Sequence, residues 1–442
     1  MSAMTALFLY FTTLLDQPRS YEHKGNIEPS DIEIERIYKE NKNINSLLKS
    51  LMTTKFFRNF RTNPSRKCEF SISNQKCKNG QCPVYEDEAM NVTTIRTYIV
   101  NRTLDPKMQE FTSHIPVEEY TDQSDGWTVD EHLEKEGLYI DLQKNPERYT
   151  GFNDTKIWNE IESQSLNKLN FTTSGPHRDL LPRVISGIHT SSDMHISQFF
   201  LEDISVRESF TTVDFTANYE QFHERVGKYP DKIKDLFYTS LLFIDALSHI
   251  RENLPHYIYY SDDESKNMRI QNRMQWFSHY VSKVADPDKI QSGLFKKVTK
   301  EELIQSVKPA FRSVSELVNC IECDVCKLNT RVQFVGVAAM FKILLTEKDK
   351  EVILSENELV AFINTIFRLS NSIKFYKEAL DHEASEAFIK MMMYIIILSF
   401  AGLFFFLAII AFCCSSPPKK DEERVPLRMQ DAIAAEVISR QL

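Results

Sequence analysis

Apolar residues recur at spacings of three and four along much of the chain. Ile233, Leu236, Phe237, Leu241, Ile244 and Leu247 make one helical stripe, and Ile270, Met274, Phe277, Val281 and Val284 make another. Val332, Val335, Ala339 and Ile343 form a third. Ser355 and Glu358 have capping-box spacing ahead of Leu359, Phe362, Ile366 and Leu369, which predicts a helix start there. No alternating pattern of comparable length competes, although TTIRTYIV (93–100) predicts a short strand. The pattern predicts a mainly α domain whose stripes are core faces, with no chemistry implied.

Two stretches depart from it. Residues 60–92 are polar, carry Pro64, Gly80, Pro83 and three cysteines, and read as a loop-like arm held by crosslinks more than by packing. Residues 104–145 are acidic and irregular, and no internal repeat is present.

Residues 391–414 hold no charge over 24 positions. As a helix they would be roughly 36 Å long, enough to cross a bilayer core of about 30 Å. Lys419, Lys420 and Arg424 follow at once, which by the positive-inside rule makes 415–442 a cytosolic tail and the preceding chain lumenal. ALFLYFTTLL (6–15) resembles the apolar core of a signal peptide over 1–20, although the leading MSAMT has no basic residue. The expected layout is a lumenal domain over 21–385 with the arm at 60–92, a short tether near 380–390, one transmembrane helix at 391–414 and the tail. Asn91, Asn101, Asn153 and Asn170 head glycosylation sequons on the lumenal side.

Composition removes some function classes. The 442 residues carry a net charge of −9, so nothing suggests a nucleic-acid footprint. Glycine is scarce and neither GxGxxG nor GxxxxGK[ST] occurs, so a dinucleotide fold or P-loop lacks motif support.

Chemistry concentrates in the cysteines. Cys413 and Cys414 end the apolar segment. The other six form two clusters, Cys68-x8-Cys77-x4-Cys82 and Cys320-x2-Cys323-x2-Cys326. A zinc site would want four ligands, which six thiols overfill, and an oxidising compartment favours disulfides over metal. Purely structural disulfides are the second reading, yet a bridge across CxxC closes so small a loop that it removes little unfolded-state entropy. Redox catalysis is the third. CKLNTRVQFVGVAAMFKILL, from Cys326, predicts a helix whose first turn would hold the CxxC, and the helix dipole there favours thiolate. CKNGQC puts a second pair around an Asn-Gly turn in the arm. A mobile pair and a buried pair suit electron relay, because thiol–disulfide exchange needs sulfur-to-sulfur attack.

Several blocks then resemble the endoplasmic reticulum oxidoreductin family, flavin-dependent oxidases that reoxidise protein disulfide isomerase. They are INSLLKSLMTTKFFRNF (44–60), CEFSISNQKCKNGQC (68–82), YIDLQKNPERYTGF (139–152), RVISGIHTSSDMHIS (183–197) and the CIECDVC helix, in family order over roughly 40–375. The resemblance implies a single helical FAD-binding domain. It implies Cys77 and Cys82 as the shuttle pair, Cys323 and Cys326 as the inner pair beside the isoalloxazine, and Cys68–Cys320 as a structural bridge. It also implies FAD contacts from Arg148, Thr150, Trp158, Ser186 and His189, with protein disulfide isomerase and dioxygen as partners in the endoplasmic reticulum. The chain departs from the family pattern at Lys232 and Asp245, which stand where arginines contact the flavin. An alternative reading is a non-enzymatic lumenal receptor or adaptor stapled by three disulfides.

Overall fold

The computed structural model describes residues 31–63, 127–128, 138–145, 179–196, 226–254, 257, 259, 264–284, 299–321, 324–346, 352 and 354–414. Helices α1 (Asp31–Met52) and α2 (Lys55–Arg58) run into strand β1 (Asn59–Thr62). Strand β2 (Leu138–Asp141) pairs with β1 antiparallel, placing Phe60 opposite Ile140. Then come α3 (Leu180–Ile196), α4 (Pro230–Ile250), α5 (Glu264–Ser282) and α6 (Lys300–Leu317). A 3-10 turn (Val318–Cys320), α7 (Asp324–Leu345) and α8 (Glu356–Cys414) complete the described elements.

The helical stripes bury as expected, except that Ile233 at the start of its stripe is only half-buried. Ile270, Met274, Phe277, Val281 and Val284 of the α5 stripe are all buried, as are Leu359, Phe362, Ile366 and Leu369 of α8. The capping box at Ser355 forms: Glu358 N–H donates to Ser355 Oγ at 3.2 Å and Ser355 N–H to Glu358 Oε2 at 2.7 Å. Thr299 and Glu302 build a second box at the start of α6. Helix α4 packs against α3, α5 and α7, α5 packs against α1, and α6 against α7. Aromatic stacks fill the gaps, Phe243 on Phe362 at 5.4 Å and Phe311 on Phe334 at 5.6 Å. Each such ring, once buried, stabilises the fold by about 1.5–3 kcal/mol.

Three expectations need correction. The arm does not begin at residue 60, because Phe60, Arg61 and Thr62 lie in β1. The stretch 104–145 is not wholly irregular, since β2 occupies 138–141. Four-residue strands are too short to show alternation; pairing across the fold makes them. The tether near 380–390 is absent too, and α8 continues unbroken through it. That segment has no Gly or Pro, and Glu386 lies 3.2 Å from Lys390 and 3.9 Å from His382, both one turn away.

The chain divides into one compact unit ending at Glu378 and another from Ala379. In the second, side chains from Met391 to Phe412 are exposed, and the helix is long and apolar enough to cross a membrane. Helix α7 is also long and apolar enough, but it is buried within the first unit. The strand expected at 93–100, the signal peptide, the four sequons and the tail lie outside the described residues.

Candidate functional site

Asp324 opens α7, so Cys326 lies in the helix's first turn, where unpaired N–H groups and the dipole favour a thiolate. Cys326 is partly exposed, whereas most residues beyond it in α7 are buried. Its carbonyl accepts from Thr330 Oγ1 at 2.8 Å. Next to it in sequence Lys327 is buried, with its ammonium 3.4 Å from Asp324 Oδ1. Cys320 is buried in the preceding 3-10 turn and is disulfide-bonded. Cys323 lies outside the described residues, as do Cys68, Cys77 and Cys82.

Ser186 and His189, one turn apart, are both half-buried on α3. Gly187 between them is required by packing. A Cβ there would stand 2.2 Å from Thr239 Oγ1 and 2.5 Å from the Asp235 carbonyl of α4. Arg183 closes the same helix pair: its Nε donates to Asp235 Oδ1 at 2.9 Å, and its guanidinium lies 3.9 Å from the centroid of the Tyr238 ring. Because α4 packs against both α3 and α7, it links the SGIH segment to the cysteine helix. Arg148, Thr150 and Trp158 fall outside the described residues.

Two of the described residues could hydrogen-bond a flavin. Ser186 and His189 supply hydroxyl and imidazole donors, and two buried atoms, Thr190 Oγ1 and Gln333 Oε1, have no hydrogen-bond partner among the described residues. Thr190 adjoins His189, and Gln333 lies seven residues past Cys326, two turns along the same side of α7. At the departures, Lys232 sits over the Tyr229 ring at 4.9 Å, and Asp245 is fully buried with a carboxylate oxygen 4.0 Å from His249 Nδ1. Neither offers an arginine's planar fork.

The Endoplasmic Reticulum Oxidoreductin 1 family model matches residues 43–376. The chain belongs to this family. Relatives include endoplasmic reticulum oxidoreductin-1 of Arabidopsis thaliana, 26% identical over 377 residues, covering 80% of this chain and 79% of that protein. Endoplasmic oxidoreductin-1 of Saccharomyces cerevisiae is 25% identical over 386 residues, covering 80% of this chain and 66% of that one. In structure the chain resembles Ero1p, described as a source of disulfide bonds for oxidative protein folding. The TM-score is 0.59 at 23% identity, covering 80% of this chain and 99% of that one. This oxidoreductin is thus a mainly helical member of a family of oxidoreductases of disulfide formation.

Residue patterns left some contacts unseen. Asn357 pairs by its side-chain amide with the Arg61 backbone, accepting from N–H at 2.8 Å and donating to C=O at 3.0 Å. Arg331, buried in α7, reaches Thr62, Asn63 and Asn319. An arginine inside the apolar run VCKLNTRVQFVGVAAMF was the available signal, since a charge there must find partners.

Proposed function

We propose that this oxidoreductin is a membrane-anchored, lumen-facing, FAD-dependent thiol oxidase that reoxidises protein disulfide isomerase in the endoplasmic reticulum. An isomerase thiolate attacks the Cys77–Cys82 disulfide, and a mixed disulfide forms and resolves. The reduced shuttle pair then exchanges in the same way with Cys323–Cys326. FAD, when bound, would supply the two-electron chemistry between the inner dithiol and dioxygen, with hydrogen peroxide as the product. The net change is one isomerase dithiol and one dioxygen to one disulfide and one hydrogen peroxide.

The chain's residues supply position and charge. The α7 N-terminus stabilises a thiolate at Cys326. Ser186 and His189, with Arg148, Thr150 and Trp158, would hold the flavin by hydrogen bonds, charge and stacking. The apolar segment of α8 serves as the transmembrane anchor, with 415–442 cytosolic. The observation that carries the reading is the placing of Cys326 in the first turn of a buried helix, three residues after its CxxC partner Cys323, in a chain of this family.

The test is oxygen uptake by the detergent-solubilised, flavin-loaded chain with reduced isomerase. Turnover is expected from the native protein and none from a Cys323→Ala, Cys326→Ala double variant. A double variant as active as the parent excludes this mechanism.

A further inference from the structure

Arg331 is 3% exposed, and its guanidinium ties α7 to two other stretches of chain. Its Nη1 donates to Thr62 Oγ1 at 3.4 Å and to the Asn63 carbonyl, and its Nη2 donates to Asn319 Oδ1. Thr62 ends β1, and the chain from Asn63 leads on to Cys68, Cys77 and Cys82. Asn319 lies in the 3-10 turn, next to disulfide-bonded Cys320 and just ahead of Cys323. Arg331 itself rides on α7, five residues past Cys326.

We infer that Arg331 is a positioning residue for transfer between the shuttle and inner cysteine pairs. It fastens the root of the cysteine-bearing arm to the turn and helix that carry the inner pair. This deepens the thiol-oxidase reading and rests on it.

The energetics favour a directional role over simple packing. Burying a guanidinium is costly unless its donors are satisfied, and apolar residues of similar volume would fill the same space at less cost. What a planar fork adds is fixed geometry, since it sets the angle between the groups on its two edges. Here those groups are the base of the arm and the cysteine turn. The step it serves is intramolecular. A thiolate of the reduced shuttle pair attacks an inner sulfur, a new S–S bond forms, and the Cys323–Cys326 bond breaks. The second shuttle thiol then releases the inner sulfur, so two electrons and two protons pass inward. The rate of that exchange scales with the effective concentration of one pair at the other, which the geometry of the arm's root sets.

The test uses the flavin-loaded full-length protein in detergent, without oxygen, and follows loss of oxidised-flavin absorbance. Reduced isomerase reads the relay through the arm. Dithiothreitol, with Cys77 and Cys82 both changed to Ala, reads the inner pair and flavin alone. Arg331→Met is expected to slow the first rate by about tenfold to a hundredfold and to leave the second within about twofold. Arg331→Lys, which keeps charge without the fork, is expected to fall between Met and the parent in the first rate. Asn319→Ala, which removes one partner, gives a milder loss of the same kind and serves if Arg331→Met does not fold. If the two rates fall together, Arg331 is a structural residue only and the inference is overturned. If neither falls, it is equally overturned. A dithiol that fails to bleach the flavin even with native Arg331 counts instead against the oxidase reading.

Discussion

Gly187 of α3 and Thr239 of α4 are so closely apposed that a Cβ on residue 187 would collide with the Thr239 side chain. Gly187→Ala therefore wedges the helices apart and is expected to cost about 1–3 kcal/mol, read by urea denaturation. Thr239→Ala in the same molecule should rescue it only in part, because the Asp235 carbonyl still blocks the new methyl at 2.5 Å. Ser186 and His189 ride on the displaced helix, so flavin retained after gel filtration should fall as well.

Arg183 and Asp235 lock that helix pair from the side. Their side chains are only 16% and 17% exposed, so the pair is poorly screened by water. A double-mutant cycle with Arg183→Met and Asp235→Asn should return a coupling of about 1–2 kcal/mol. Arg183→Lys should not restore stability, because lysine keeps the charge but loses both the planar fork and the stack on Tyr238.

Asn357 bonds both backbone groups of Arg61. Asn357→Ala leaves an N–H and a C=O unmatched and should lower stability by about 2–3 kcal/mol. Asn357→Asp keeps the acceptor but removes the donor, so hydrogen exchange at Arg61 should be slower than in the alanine variant.

Tyr259 gives the alkaline limb of stability a molecular origin. Its phenol is raised well above the ordinary value of 10.0, first by burial and then by Tyr257, and it donates to the Leu254 carbonyl at 2.7 Å. Below that ordinary value both folded and unfolded chains hold the proton. Above it the unfolded chain releases the proton first, so folding stability falls as pH rises. Arg368 acts oppositely: burial lowers it to about 9, so above that pH the folded chain sheds a proton that the unfolded chain keeps. Comparing Tyr259→Phe with the parent cancels the arginine. The variant should be about 1 kcal/mol less stable at neutral pH and lose less stability than the parent from about pH 10 upward, as read by melting temperature.

The helical frame was legible because its stripes and caps are local. Ser355 and Glu358 announce α8, and the apolar run after Cys326 announces α7, since the residues that decide each lie within one or two turns. The tether was misread because a change from apolar to charged residues looks like a boundary, while continuous helix propensity and pairs such as Glu386 with Lys390 carry α8 straight through. β1 and β2 were illegible for the opposite reason. Residues 59–62 become a strand only when 138–141 arrive beside them. Of the site, the sequence placed Cys326 in a first helical turn. Ser186 and His189 came from resemblance alone. Arg331 was visible as a charge, but its partner Asn63 is 268 residues distant in sequence, and no local pattern points across that distance.

The polar seam between α1 and α8 sets an order of events during biosynthesis. Asn41 Nδ2 donates to the Ser370 carbonyl across 329 positions, and Asn45 Nδ2 donates to Asn371 Oδ1 across 326. The first helix can meet α5 earlier, but its polar face toward α8 has no mate until translation has passed residue 371, and contacts of such separation form late. The thiols at 68, 77 and 82 emerge long before that, while the nascent chain still lacks its final wall. An early wrong crosslink among them would have to be reshuffled before the last helix could dock.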